Sequence, residues 1–192
     1  MCGIYGSINF HKPSFENLKN LLKHRGPDDA DEFCYKNLYM FHSRLSIQDL
    51  SKSARQPFHY KEFCLAYNGE IYNHIELRKL CKDHHFITSS DTETLLVLYK
   101  KYGSKMFEYI DGMFAFCIFD KKKNQIVLAR DRAGKKPLYL YSKNGQYAFS
   151  SELNTIKETI KNLEISDLAI ESYLRCGFFP LGSTVYKNIC EV

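Results

Sequence analysis

Residues 113–150 read MFAFCIFDKKKNQIVLARDRAGKKPLYLYSKNGQYAFS, and this stretch decides the fold class. It holds four apolar or alternating runs, at 113–120, 125–130, 137–141 and 147–150, which clusters of turn-forming or charged residues separate. Parallel neighbours need a crossover of about a dozen residues or more, and these connections are shorter. The stretch therefore predicts an antiparallel meander of strands.

Working outward, the rest of the chain adds helices and further strands. Apolar residues at helical spacing predict amphipathic helices at 14–24 and 91–103, and a late helix is predicted at 166–176. Strands are also predicted at residues 2–9, 39–45 and 63–67. This mixture indicates an α+β fold with largely antiparallel sheets.

Three short motifs predict local structure. Asn68-Gly69 lies between two strand-like runs, which is a hairpin signal of the type I′ turn. Asn73 followed by Glu76 resembles a helix cap, and Ser90-Asp91-Thr92-Glu93 resembles a capping box. We expect a turn at the first motif and helix starts at the other two.

Composition limits the function classes. The chain has 192 residues, 44% of them hydrophobic and 26% charged, which is ordinary globular composition. The net charge of +5 comes largely from short lysine groups, which are expected to form solvated faces. They lack a nucleic-acid motif, so no nucleic-acid partner is expected.

The cysteines and the start of the chain indicate a compartment. Seven cysteines are widely spaced without a C-x-x-C pair, which argues against a zinc site. Residues 1–10 lack a secretory signal, and no apolar run approaches the ~20 residues of a membrane span. A reducing cytoplasm without membrane attachment is the expectation.

Cys2 follows Met1 directly, which suggests chemistry. If Met1 is removed, Cys2 carries a free α-amine, with a pKa of ~7.7–8.0, beside its thiol. The amine can accept a proton near neutral pH, and a deprotonated thiol is a strong nucleophile. Alone, the pattern is also compatible with an incidental cysteine.

Several motifs in order along the chain change that balance, because together they resemble the class II glutamine amidotransferases. The motifs are Met1-Cys2-Gly3-Ile4, His24-Arg25-Gly26-Pro27-Asp28, Ser43-Arg44-Leu45-Ser46-Ile47, Tyr67-Asn68-Gly69-Glu70-Ile71-Tyr72-Asn73 and Ser90-Asp91-Thr92-Glu93. The resemblance is closest to the glutaminase domain of glutamine-hydrolysing asparagine synthetases, on Asp111-Gly112-Met113-Phe114-Ala115-Phe116, Ala129-Arg130-Asp131-Arg132 and Lys136-Pro137-Leu138-Tyr139.

The resemblance implies a fold and a domain assignment. The expected fold is the four-layer αββα sandwich of N-terminal-nucleophile hydrolases, with two antiparallel sheets between helices. Residues 1–192 would form one glutaminase domain, the N-terminal part of a longer synthetase.

The resemblance also implies catalytic roles. Cys2 would attack the side-chain amide of L-glutamine and form a thioester that water hydrolyses, while its amine moves protons. The side-chain amide of Asn68 and the backbone N–H of Gly69 would form an oxyanion hole. The hairpin interpretation of Asn68-Gly69 stays open beside this one.

Substrate-binding roles follow in the same way. Arg44 would bind the α-carboxylate of glutamine, Asp91 its α-ammonium group, and Glu70 would add a second acidic contact. The remaining pocket residues would be Leu45, Ser46, Ile47 and Gln48, with core packing as the alternative for Leu45 and Ile47.

Two further groups match the family with less defined roles. His24, Arg25 and Asp28 are expected on a loop that closes over the substrate. Arg130, Asp131 and Arg132 are expected to form a structural ion-pair group. The following loop, with Lys135 and Lys136, is more basic than the usual apolar version.

Partners and alternatives complete the expectations. The partners would be L-glutamine and a C-terminal synthetase domain of the same chain, and a homodimer is possible. No cofactor is expected in this domain. ATP and Mg are expected only in the synthetase domain. The alternatives are a glutaminase for a different amide-forming synthetase, a non-catalytic glutamine-binding module, and a free-standing hydrolase of another amide.

Overall fold

The computed structural model describes residues 1–180 and 182–192. The strands within them are β1 Gly3–Ile8, β2 Asp29–Tyr35, β3 Leu38–Arg44, β4 Phe58–Tyr60, β5 Phe63–Ile71, β6 Gly112–Asp120, β7 Gln125–Arg130, β8 Tyr139–Lys143, β9 Gln146–Ser150 and β10 Ile189–Glu191. The α-helices are α1 Phe15–Leu22, α2 His74–Arg78, α3 Asp91–Tyr102, α4 Leu153–Thr159 and α5 Asp167–Cys176.

The strands form two antiparallel sheets. One has the order β10-β8-β9-β1-β3-β2 and the other the order β4-β5-β6-β7. The predicted single meander is wrong, because its strands are divided between the sheets: β6 pairs with β7 in one, and β8 pairs with β9 in the other. The predicted α+β class with antiparallel sheets is confirmed.

Four layers follow from where the apolar side chains lie. Ile4 of β1 and Cys117 of β6 belong to a core between the two sheets. On the outer face of the six-stranded sheet, Leu18 and Leu22 of α1 are fully buried in a second cluster. Leu95 of α3 is buried against the outer face of the other sheet. This is the αββα sandwich that the resemblance implied.

The helix starts show one correct cap and two corrections. Ser90 accepts a hydrogen bond from the Thr92 N–H at 3.1 Å, as a cap should. Glu93 does not complete a capping box, because its carboxylate instead accepts the N–H groups of Ile87 and Thr88. Asn73 precedes α2 without a side-chain cap bond; its side chain binds the segment before β6.

The predicted hairpin turn at Asn68-Gly69 is wrong. Both residues lie inside the continuous strand β5, where Asn68 pairs with Ala115 and Gly69 with Phe114. A Cβ at Gly69 would stand 2.4 Å from the Met113 carbonyl oxygen, so this glycine permits a close approach of strands. Pairing with β6 therefore overrides the local preference of Asn-Gly for a turn.

Some elements had no sequence prediction. They are the polar strand β2, the short strands β4 and β10, and the helix α4. Strand β2 is largely half-buried at the edge of its sheet, so its sequence carries no strong apolar alternation. Among the described residues, no helix combines the length and apolar character that crossing a bilayer requires.

Candidate active site

Strand pairing places Cys2 next to the segment that follows β3. Gly3 of β1 pairs with Ser43 of β3, so the residue before Gly3 meets the residues after Ser43. The Leu45 N–H donates to the Cys2 Sγ at 3.4 Å, and the thiol lies 3.7 Å from the Leu45 carbonyl oxygen. The thiol is thus held where the six-stranded sheet ends.

A cavity of about 200 Å³ opens at this thiol. The expected site residues that line it are Cys2, Arg44, Leu45, Ile47, Gln48, Asn68, Gly69, Glu70 and Asp91. Ser46 does not line it; its backbone N–H instead donates to Asp28 at 2.7 Å. The structure therefore brings the expected residues together from the position before β1, from β3 and the segment after it, from β5 and from α3, with Ser46 as the exception.

Asn68 lines the cavity and carries a buried donor without a partner among the described residues. Its side chain is 1% exposed, and its Nδ2 has no hydrogen-bond partner among the described residues. Leaving a buried amide donor unpaired costs about 1–3 kcal/mol, so such a group calls for an explanation. An unpaired donor in the same cavity wall as a thiol would suit an oxygen that develops negative charge.

Asp91 is a buried carboxylate that is only partly satisfied. Its Oδ2 accepts the Tyr67 hydroxyl at 2.7 Å and the Ile71 N–H at 2.9 Å. Its Oδ1 has one long contact, to the Ser90 hydroxyl at 3.5 Å. Burial raises the pKa of Asp91, although both Oδ2 donors favour the charged form. The site is suited to a cation that reaches Oδ1.

The residues near Asp91 form a short polar chain. The Gln48 Oε1 accepts the Asp91 N–H at 3.2 Å, and the Gln48 Nε2 lies 3.3 Å from Glu70. Glu70 is half-buried and Gln48 is exposed. Gln48 therefore bridges the backbone of Asp91 and the side chain of Glu70.

Arg44 lines the cavity and also fixes the loop after β3. Its Nη1 donates to the Ser51 carbonyl at 3.0 Å, and its Nη2 donates to the Asp49 carbonyl. Asp49 in turn accepts the Ser89 N–H, and hydrogen bonds from Ser51 and Ser89 lower its pKa to about 2 despite burial, which acts in the opposite direction. Arg44 retains donors beyond these two, so a carboxylate clamp stays a prediction.

The His24, Arg25 and Asp28 segment lies behind the cavity wall. Arg25 is 8% exposed; its Nε donates to the Cys2 carbonyl at 3.1 Å and its Nη1 to Glu152 at 2.5 Å. His24 also contacts Glu152, at 3.3 Å. These contacts attach the segment to the Cys2 backbone and to Glu152; closure over a substrate stays a prediction.

The predicted ion-pair group at Arg130, Asp131 and Arg132 is wrong. Asp131 accepts backbone N–H groups from Phe114, Lys135 and Lys136, and these lower its pKa although burial opposes them. Arg130 pairs with Glu191 at 2.8 Å, and Arg132 is exposed. Asp131 fixes a backbone turn, because its oxygens face amide groups rather than cations.

Sequence reasoning missed several cavity residues. Gln56 is buried, accepts the Tyr67 N–H at 2.7 Å and donates to Thr92 at 3.3 Å. Lys136 also lines the cavity. Tyr67 could have been suspected from its place beside Asn68, whereas Gln56 and Lys136 reach the cavity only through tertiary contacts.

His42 supports the strand that carries Asn68. It is fully buried between the sheets, and its Nε2 lies 3.0 Å from the Tyr67 carbonyl oxygen. Burial lowers the pKa of His42 to about 4, so the ring is neutral at neutral pH. With Nε2 as the donor, it joins the two sheets one residue before Asn68.

The fold and the family can be stated from comparisons with known proteins. Bacillus subtilis glutamine phosphoribosylpyrophosphate amidotransferase with ADP and GMP matches 81% of this chain and 43% of its own, at a TM-score of 0.68 and 22% identity. A structure of an allosteric regulatory enzyme of purine biosynthesis gives a TM-score of 0.65 at 19% identity, over 81% of this chain and 43% of its own. The fold is that of N-terminal-nucleophile hydrolases.

The family follows from sequence. A family model described as a glutamine amidotransferase domain matches residues 1–192, so the chain belongs to that family of enzyme domains. Relatives include a putative glutamine-hydrolysing asparagine synthetase 2 of Methanocaldococcus jannaschii, 39% identical over 98% of this chain and 42% of its own length. Asparagine synthetase 1 of Bacillus subtilis is 34% identical and asparagine synthetase B of Escherichia coli 35% identical, each over 100% of this chain.

The chain is shorter than these relatives. It spans 42%, 32% and 34% of their respective lengths.

Proposed function

We propose that this chain hydrolyses the side-chain amide of L-glutamine to glutamate and ammonia. The observation that carries the proposal is the buried, unpartnered Nδ2 of Asn68 in the same cavity wall as the Cys2 thiol. A nucleophile beside a preformed oxyanion donor is what amide hydrolysis through an acyl intermediate needs. Family membership and the names of the relatives support glutamine as the amide.

The proposed first half of the reaction forms a thioester. After removal of Met1, the α-amine of Cys2 takes the thiol proton, directly or through water, and Sγ attacks the amide carbon. Asn68 Nδ2 and the Gly69 N–H stabilise the oxyanion of the tetrahedral intermediate. The carbon–nitrogen bond then breaks, and the leaving nitrogen takes a proton from the amine, which releases ammonia.

The second half restores the nucleophile. Water gives a proton to the α-amine and attacks the thioester carbon, and the same oxyanion donors act again. The carbon–sulfur bond breaks, the sulfur regains its proton, and glutamate leaves. In both halves Arg44 would bind the α-carboxylate, while Asp91 and Glu70 would bind the α-ammonium group.

The cavity also supports an amino-acid substrate over a simple amide. A cationic donor, Arg44, and two carboxylates, Asp91 and Glu70, line one space of about 200 Å³. A free-standing hydrolase of other amides would not need both charges. A non-catalytic module would not need an oriented thiol beside an unpaired amide donor.

The use of the ammonia is a second part of the proposal. In the longer chain, a following ATP- and magnesium-dependent domain would use it to form asparagine. The names of the relatives and their greater length support this. The exposed apolar side chains of α5 and the residues after it, such as Leu168 at 74%, Leu174 at 78% and Phe178 at 60%, offer a surface for that domain.

The test of hydrolysis uses this chain with removal of Met1 verified by intact mass. We expect glutamate and ammonia in equal amounts from L-glutamine, and no activity in Cys2→Ala. Cys34→Ala, which changes an exposed cysteine, is the matched control and should keep full activity.

The outcomes separate the alternatives. Glutamine binding without glutamate release would indicate a binding module, and equal rates on glutamine and simple amides a general hydrolase. For the longer chain, conversion of aspartate to asparagine with glutamine and ATP tests the acceptor; a different amide product would indicate another synthetase.

A further inference from the structure

Lys136 is a buried cation in the wall of the proposed active site. It lies between β7 and β8, is 6% exposed, and lines the cavity with Cys2. Its N–H donates to Asp131 at 3.0 Å, and its carbonyl accepts the Arg130 Nε at 2.9 Å. These two contacts fix the backbone from which the side chain reaches the cavity.

No carboxylate compensates this charge at close range. Within residues 1–180 and 182–192, Lys136 forms no ion pair at 4.0 Å or less. Buried charges are normally paired because desolvation is costly. Burial lowers the pKa of Lys136, and the positive charge of Arg25 lowers it further.

Cys2 is the main group that favours the charged form of Lys136. It raises the pKa of Lys136 more than the carboxylates of Glu70 and Asp131 do. Seen from Cys2, burial raises the thiol pKa, while the Leu45 N–H, the amino terminus and Arg44 lower it and Asp91 raises it. Burial therefore prevails and the thiol pKa is raised, although the positive charges near Cys2 oppose that rise.

The positive charge of Lys136 also acts on the amino terminus. In the chain with Met1, burial lowers the pKa of the terminal amine; Arg25 and Lys136 lower it further, whereas Cys2 and Asp28 raise it. A fixed positive charge favours loss of a proton from a thiol and from an ammonium group alike. In the chain with Met1, the charge of Lys136 thus acts on the amino terminus, and Lys136 and Cys2 favour each other's charged forms.

We propose that Lys136 is a positioning residue whose buried ammonium, with no carboxylate within 4.0 Å among the described residues, favours the deprotonated forms of the Cys2 thiol and the amino-terminal amine. Its proposed effect is on the charge of Cys2 and of the amino terminus. This inference rests on the proposed function for its role in catalysis, but the charge effect on the thiol can be measured without glutamine.

The test measures carbamidomethylation of Cys2 by iodoacetamide across pH 5.5–9.5, in chain freed of Met1. Mass spectrometry of the N-terminal peptide separates Cys2 from the other six cysteines. Lys136→Met should raise the pH midpoint by about 0.5–1 unit and slow the reaction at pH 7 by about 3–10-fold. Lys136→Arg, which keeps the charge, should restore the native midpoint.

Lys135→Met is the matched control, because Lys135 is the exposed neighbour in the same loop. It should leave the midpoint unchanged. Thermal unfolding accompanies each variant: Lys136→Met should melt no lower than the native chain, since it removes an unpaired buried charge. If Lys136→Met does not fold, Lys136→Gln carries the same expectation for the midpoint.

An unchanged midpoint in a folded, neutral Lys136 variant overturns the inference, as does an equal shift in Lys135→Met. Failure of the native chain to release glutamate would overturn the proposed function instead, and would leave the alkylation result interpretable. If glutamate is released, the acid side of the pH–rate profile should move to higher pH in Lys136→Met and not in Lys136→Arg.

Discussion

Asp91 and Glu93 lie in the first turn of the same helix, and both are nearly inaccessible to solvent, yet their surroundings are opposite. Glu93 accepts the Thr88 N–H at 2.8 Å, the Thr88 hydroxyl at 2.7 Å, the Ile87 N–H at 3.1 Å and His84 at 2.8 Å. Asp91 has two close donors, both on one oxygen; its other oxygen has a single contact at 3.5 Å, and the residue lines the cavity.

The difference extends to the pKa of each group. The Thr88, His84 and Ile87 donors lower the pKa of Glu93 even though burial raises it, whereas burial prevails at Asp91 and raises its pKa. A fully satisfied carboxylate contributes to structure, in this case by holding the loop before α3. A partly satisfied one costs stability and retains capacity for a ligand.

Among the residues that line the cavity, substitution of Asn68 should have the largest effect on activity. Asn68→Ala should lower kcat for glutamine by ~100–1000-fold, because it removes one oxyanion donor. Its Nδ2 has no native partner, so thermal unfolding should change far less than activity. If Asn68→Ala instead loses stability but keeps kcat, Asn68 has a structural role like that of Glu93.

Asp91→Asn should have the next largest effect. Loss of a charge-assisted contact worth ~1.5–3 kcal/mol would reduce kcat/KM by ~10–100-fold, mainly through KM. The free energy of unfolding should be equal or higher, because a charge is removed from a buried site with a raised pKa. An unchanged KM measured in steady-state kinetics would contradict the proposed ammonium contact.

Glu93→Gln should have the smallest effect on the site and a clear one on stability. The amide nitrogen of glutamine cannot accept the loop N–H groups, so unfolding should become easier by ~1–3 kcal/mol, measured with urea. The KM of the folded fraction should change little. A large KM increase without destabilisation would reverse the two roles.

The pH dependence of stability tests the same contrast. The folded pKa of Glu93 lies below its ordinary value of 4.5, so its contribution is present above that pH and is lost as pH falls through the folded pKa. Glu93→Gln should therefore lose less stability than the native chain on acidification below about pH 4.5. The pKa of Asp91 is raised in the folded chain, so its effect on the pH dependence of stability has the opposite sign. Asp91→Asn should therefore not reduce the stability that the chain loses on acidification.

The helix starts illustrate what could be predicted from sequence. Ser14, Ser90 and Ser166 each accept a backbone N–H at the start of α1, α3 and α5, because capping depends on residues two or three positions apart. The same local logic failed for Glu93, where loop donors outnumber the single donor of a capping box. Strands with strong apolar runs were predictable, whereas the half-buried edge strand β2 was not.

By itself, the sequence determined the α+β class, the main helices and strands, and, through its motifs, nine of the eighteen residues that line the cavity. These depend on residue type and short spacing, which are local properties. Only the tertiary structure decided that Asn68-Gly69 is strand rather than turn, because the close approach of β6 excludes a side chain at Gly69. It also brought Lys136 beside Cys2, since contacts between distant segments follow from how the sheets pack and from no pattern within either segment.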